Sequence, residues 1–197
     1  MAKGGGARAA PAPMTRALAI SDWLAAPSHL MARLCGLLLL VLTGVILYDV
    51  IGRRYFATGS FKLQELEWHL HGAIAVLAFG YAYLKDVHVR IDILAHRMSR
   101  GFRLRLELIG ILLFLVPFMA LLFWFGMDFT IRSFVRGETS NGGLGLSHRW
   151  IIKSAIPVSA VVTMLAGISV ALRCVVALRR PDLLPDPFAD PGAGAPA

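Results

Sequence analysis

Four long apolar runs constrain this chain more than any other feature, because a helix crossing a hydrocarbon layer of ~30 Å needs about 20 mostly apolar residues. The runs lie at about 34–51 (LCGLLLLVLTGVILYDVI), 63–84, 106–131 and 151–178. The first and third are almost purely Leu, Val, Ile and Phe; the second carries Glu65, Glu67, His69 and His71 in its opening turns, and the fourth carries Lys153 near its start. Such polar turns belong at a membrane interface. Hydrophobic residues make up 57% of the chain and charged ones 16%, which excludes an ordinary soluble globule. The expected fold is all-α and integral to a membrane, with four transmembrane helices.

The first run is followed by Gly52-Arg53-Arg54-Tyr55-Phe56 rather than by the small residues of a cleavage site, so it reads as a retained anchor. Residues 1–29 open on an Ala/Gly/Pro-rich stretch, and 181–197 are a Pro/Asp/Gly/Ala string. Both are expected to be disordered cytoplasmic tails around a membrane domain at 30–180. Orientation follows from basic residues, which are retained on the cytoplasmic side. Of the 20 Lys and Arg, 13 fall on the side of the two termini and 7 on the other. Both termini are therefore expected inside. The net charge of +8 suits an anionic membrane surface, and with no zinc, RNA or helix-turn-helix signature nucleic acid is not an expected partner. Cys35 and Cys174 both fall near the reducing face and read as small buried residues, without the spacing of a disulfide framework or a zinc site.

Histidine raises the question of haem held between helices. His29, His69, His71, His88, His96 and His148 all fall in loops or at span ends, too shallow for axial ligands. In the second span Glu65 precedes His69, and Glu67 precedes His71, by one helical turn, so each carboxylate can meet an imidazole. An acid within a span is expensive, which points to contact with a second protein, beside the plainer reading of an amphipathic turn at headgroup depth. Further along, Gly72, Ala75, Ala78 and Ala82 make a smooth line that permits close helix approach, so the second span is expected to be the most enclosed of the four. Asp49 and Arg53 are spaced to pair at the outer end of the first span. Pro117 and Pro157 each remove a backbone donor and allow kinks.

Between the second and third spans, the sequence from about Arg90 places Ile91, Leu94, Ala95, Met98 and Phe102 on one side and Arg90, Arg97, Arg100 and Arg103 elsewhere. This predicts an amphipathic interfacial helix. The external loop RSFVRGETSNGGLGLSHRW lacks the Lys-Ser/Thr ending of a phosphate-binding loop, and its glycines read as turns. No Ser/His/Asp set or paired carboxylate at plausible depth suggests an enzyme, and no cofactor or metal is expected.

Four spans, internal termini, Arg54-Tyr55-Phe56, Gln64-Glu65-Leu66-Glu67-Trp68 and His88-Val89-Arg90-Ile91-Asp92 together resemble the small membrane subunit (small permease, DctQ type) of tripartite ATP-independent periplasmic (TRAP) transporters. The resemblance covers about 34–178, with HVRID its most specific piece; Ser147 departs from it, since relatives often carry Pro there. It implies a multisubunit, sodium-coupled symporter for organic acids in the bacterial inner membrane. A large permease subunit moves the substrate and binds the sodium, and a periplasmic binding protein delivers it. This chain would brace the large subunit, with Glu65, Glu67, Trp68, Gly72, Ala75, Ala78, Ala82, His88, Arg90 and Asp92 as partner-interface candidates. Arg53, Arg54, Arg132, Arg136 and Arg149 would form an external basic rim for docking the delivery protein. A respiratory-complex anchor would instead need deep histidines or a quinone pocket, and a self-contained exporter would need a deeper acid than Asp49, Glu65 or Glu67.

Overall fold

The computed structural model describes residues 12–87, 98–140, 145–184 and 186–188. Helix α1 (Ala12–Phe56) is followed by α2 (Phe61–Leu77) and α3 (Phe79–Leu84), and then by a rod made of α4 (Arg100–Gly110), a π-helical turn (Ile111–Leu115) and α5 (Val116–Val135). Helix α6 (Trp150–Arg179) completes the bundle. No strand occurs among the described residues, as expected for a chain whose backbone must satisfy itself in lipid.

Three helices are long and apolar enough to cross a membrane: Thr15–Phe56, Arg100–Val135 and Trp150–Arg179. The second expected span is present as α2 and α3, divided at Ala78. The division has a physical cause. The Ser159 hydroxyl of α6 donates to the Val76 carbonyl, which in an uninterrupted helix would accept from the N–H four residues on. Immediately after the break, Gly80 lies where α1, α3 and α6 meet. A Cβ there would stand 2.9 Å from Ser28 Oγ, 3.0 Å from Val162 Cγ1 and 3.2 Å from the Val162 carbonyl oxygen.

The core is built around α6. In the most apolar window of each candidate span, 61% of α6 is buried, against 17% of α1 and 6% of the Arg100–Val135 rod. This corrects the expectation that the second span is the most enclosed. Helix α6 turns small residues towards its neighbours, with Ala155, Ala160, Ala166, Gly167, Ala171 and Ala177 all buried. Small side chains let backbones approach where lipid supplies no hydrophobic drive for association. The expected line of Gly72, Ala75, Ala78 and Ala82 does not play that part. Ala75 is exposed, and a Cβ on Gly72 would meet nothing within 4 Å.

Both expected prolines act as the sequence suggests, in different ways. Pro117 has no N–H to return to the chain, and the π-helical turn lies just before it, directing Leu115 and Ile111 at Gly167 of α6. Pro157 is buried inside α6 opposite Gly126 of α5, where an added Cβ would come within 3.2 Å of the proline ring.

The expected disordered tails are corrected where they are described. Residues 12–29 belong to α1, and Ser21, Ala25 and Ser28 are fully covered. Ser21 and Ser169 face one another, Oγ to Oγ at 2.9 Å, and the Ser169 hydroxyl donates to the Ser21 carbonyl at 2.8 Å. One turn further on, buried Arg173 donates through Nε to Ser21 Oγ (2.8 Å), through Nη2 to Asp22 Oδ1 (2.9 Å) and through Nη1 to the Pro187 carbonyl (3.4 Å). One guanidinium thus ties the start of α1 and the C-terminal segment to α6. Arg100 donates to the carbonyls of Ala177 and Leu184, placing a cation at the negative end of the α6 dipole. Phe188 packs edge-on against Tyr83.

The expected interfacial helix from about Arg90 lies mostly outside the described residues. Of its positions, Met98 precedes the helix, while Arg100, Phe102 and Arg103 belong to α4, which continues directly into the third span. Cys35 and Cys174 are both buried free thiols.

Candidate functional site

The residues singled out in the sequence gather at the end of the bundle formed by the C-termini of α1 and α5 and the N-termini of α2 and α6. Glu65, in the second turn of α2, is 7% exposed, and its Oε2 accepts the Leu146 backbone N–H at 2.6 Å. The loop that supplies this donor is closed on itself. The Ser140 N–H donates to the Leu146 carbonyl at 3.1 Å, and the Arg149 N–H donates to the Glu138 carbonyl at 3.2 Å. A buried carboxylate is tolerable only when its lone pairs are met, and here the Gly-rich loop folds over the helix to meet one of them. Glu65 was expected to face a second protein; it is instead engaged inside this chain.

Gly145 is what lets the loop close so tightly. A Cβ there would fall 2.0 Å from Glu65 Oε2 and 2.3 Å from Ser140 Cβ, so no other residue fits without moving the loop. The sequence reading gave these glycines only a turn-making role. The missed signal was an acid in the opening of a span together with a loop that puts bare backbone N–H groups within reach. At the neck of the loop, the Lys153 ammonium bonds the Glu138 carboxylate and lies 3.9 Å from the centre of the Phe129 ring. Hydrogen bonds from Lys153 first, and then from Ser133, hold the Glu138 carboxyl below the ordinary carboxylate range.

The expected basic rim is largely matched by acids of the same chain. Arg53 pairs with the fully covered Asp49 at 2.5 Å, the i,i+4 pair expected from spacing. Arg132 pairs with Asp128 at 2.5 Å, and Arg149 lies 3.9 Å from Glu138. Arg54 and Arg136 are exposed, and no ion pair involves them among the described residues. Of the α2 candidates, Trp68 is 68% exposed, while Glu67 Oε1 is covered and has no hydrogen-bond partner among the described residues. Beside them an apolar cleft of about 510 Å³ opens between α1, α2 and α6, walled by Leu38, Leu66, Leu70, Leu77, Ile152 and Val158. His88, Arg90 and Asp92 lie outside the described residues.

No group of three metal-ligating side chains occurs among the described residues. What remains is a membrane bundle with a braced outer loop and large apolar faces that it does not cover itself. Residues 42–177 match the family described as tripartite ATP-independent periplasmic transporters, DctQ component. The chain belongs to that family. Among curated proteins nothing matches it. The DctQ component is the small subunit of a transporter and not an enzyme family, so the absence of a catalytic set in the sequence reading finds an indirect explanation. The matched region begins within α1, after Ser21 and Asp22, so the Arg173 tie lies partly outside what defines a DctQ component.

Proposed function

We propose that this DctQ chain is the small scaffold subunit of a sodium-coupled, binding-protein-dependent transporter for organic acids, embedded in a bacterial inner membrane. The observation that carries the reading is the family match over residues 42–177. In this proposal the chain crosses the membrane four times with both termini inside, the divided α2–α3 unit serving as the second crossing. Thirteen of twenty basic residues then fall on the cytoplasmic side, as retention of Lys and Arg requires.

The large transport subunit packs against the face of α2 that carries Trp68 and against the apolar cleft beside it. Two features support this choice. Trp68 is one of the most exposed large side chains on α2, and the covered Glu67 oxygen is an acceptor that a donor from another protein would satisfy. Substrate and sodium sites belong to the large subunit in this reading. Arg54 and Arg136 contribute to docking of the periplasmic binding protein.

Reconstitution tests the proposal. Liposomes holding this chain, the large subunit and the binding protein take up substrate with sodium, and omission of this chain abolishes uptake. Substrate-dependent sodium flux through liposomes holding this chain alone overturns it. Orientation is read separately by cysteine labelling. Thr58→Cys and Ser147→Cys react with an impermeant reagent from the periplasm and Ser99→Cys does not, with little background from the two buried native thiols.

A further inference from the structure

The opposite end of the bundle holds a second cleft, of about 520 Å³, between α1 and the end of α3 with α6 at its floor. Its walls combine an apolar part, Ala25, Leu30 and Leu84, with His29, Arg33, Lys85 and Arg173. One acid lines it among the described residues, Asp22, and that carboxylate is already paired with Arg173 at 2.9 Å. The cleft therefore carries an excess of two positive charges from side chains of three different helices. Its aromatic edge is ordered as well. His29 stacks edge-on against Tyr81 at 5.5 Å, and the Lys85 ammonium stands 5.8 Å from the same ring.

A cleft with cations at its mouth and apolar side chains beside them, at the level where α3 ends, matches an amphiphile with an anionic head. We infer that it binds a phosphate-bearing anion, with Arg33 and Lys85 contacting the phosphate oxygens and Arg173 supplying charge from below. The shared chemistry is a phosphate group of net negative charge, presented either by an anionic phospholipid or by free phosphate. The assignment draws on the proposed orientation only for which leaflet would supply a lipid. It is independent of the partner subunits and survives the failure of the transport reading.

Calorimetric titration of the purified full-length chain in an uncharged detergent tests it, with three probes: dihexanoyl phosphatidylglycerol, inorganic phosphate and dihexanoyl phosphatidylcholine. Saturable binding is expected for phosphatidylglycerol or phosphate, and weaker binding for phosphatidylcholine, whose choline cancels the phosphate charge. A basic side chain near an anionic surface contributes about a factor of five, so Arg33→Gln should weaken binding about fivefold and Arg33→Gln with Lys85→Gln about thirtyfold. Arg33 is exposed and makes no packing contact that its loss would collapse, and Arg33→Gln alone keeps the test valid if the double variant unfolds. Binding of phosphatidylglycerol without phosphate identifies a lipid as the source; equal binding of phosphate identifies the free anion. Unchanged affinity in Arg33→Gln, or phosphatidylcholine binding as tightly as phosphatidylglycerol, overturns the inference.

Discussion

Gly80→Ala and Gly72→Ala, made side by side, separate what helix packing requires from what helix propensity prefers. Both glycines lie in the second helical unit, and replacing Gly by Ala in a helix interior is worth about 0.5–1 kcal/mol in favour of Ala. At Gly72 a Cβ meets nothing within 4 Å, so this gain should appear undiminished as a modest stabilisation. At Gly80 the new methyl would stand 2.9 Å from Ser28 Oγ and 3.2 Å from the Val162 carbonyl oxygen, and a backbone atom in a packed helix cannot rotate away. Overpacking of this kind costs about 1–3 kcal/mol, leaving a net loss of about 1 kcal/mol for Gly80→Ala. Since the propensity gain is common to both variants, the gap between them isolates the crossing. The assay is thermal unfolding in detergent followed by far-ultraviolet circular dichroism, with Gly80→Leu as a severe control. Equal shifts for the two alanine variants, or a more harmful Gly72→Ala, would refute the argument that the close approach is at Gly80 and not along the line from Gly72 to Ala82.

Arg173→Met should release the start of α1, losing charged hydrogen bonds each worth about 1.5–3 kcal/mol before discounting the half-exposed Asp22, and limited proteolysis should then cut within residues 15–30 while α6 stays intact. Protection of that segment in the variant would show that the guanidinium is not what holds it. The Glu138 carboxyl is depressed in the folded chain, so the stability it contributes is complete above the ordinary glutamate pKa and is lost as pH falls through the lowered value. Glu138→Gln should therefore melt earlier than the parent at neutral pH and converge with it in acid; a difference that persists unchanged into acid contradicts this. Reversing Arg54 and Arg136 together should raise the half-saturating concentration of the binding protein in reconstituted uptake, more at low salt than at high, with the maximal rate kept. Loss of maximal rate at constant half-saturation would make them structural.

Composition and spacing carried the class of this protein without any structure. Long apolar runs with too few charges to be soluble leave helices as the way for a backbone to satisfy itself in lipid. The Asp49–Arg53 pair and the buried, unpaired state of both cysteines were legible because each depends on neighbours one helical turn away or on residue chemistry alone. Family membership was legible too, since QELEW and HVRID are local strings within the matched region. Which helix lies at the centre was not. A line of small residues is equally present on a face turned to lipid and on one turned to a neighbour, and only the packed bundle shows that α6 and Gly80, not Gly72 or Ala75, make the close approaches. The same holds for Glu65, whose partner is a backbone N–H more than eighty residues away, and for Arg173, whose partners come from α1 and from the C-terminal segment. Sequence determines what each residue is able to bond. Tertiary structure decides which bonds form, because distant elements must first be brought together before a carboxylate or a guanidinium can choose among them.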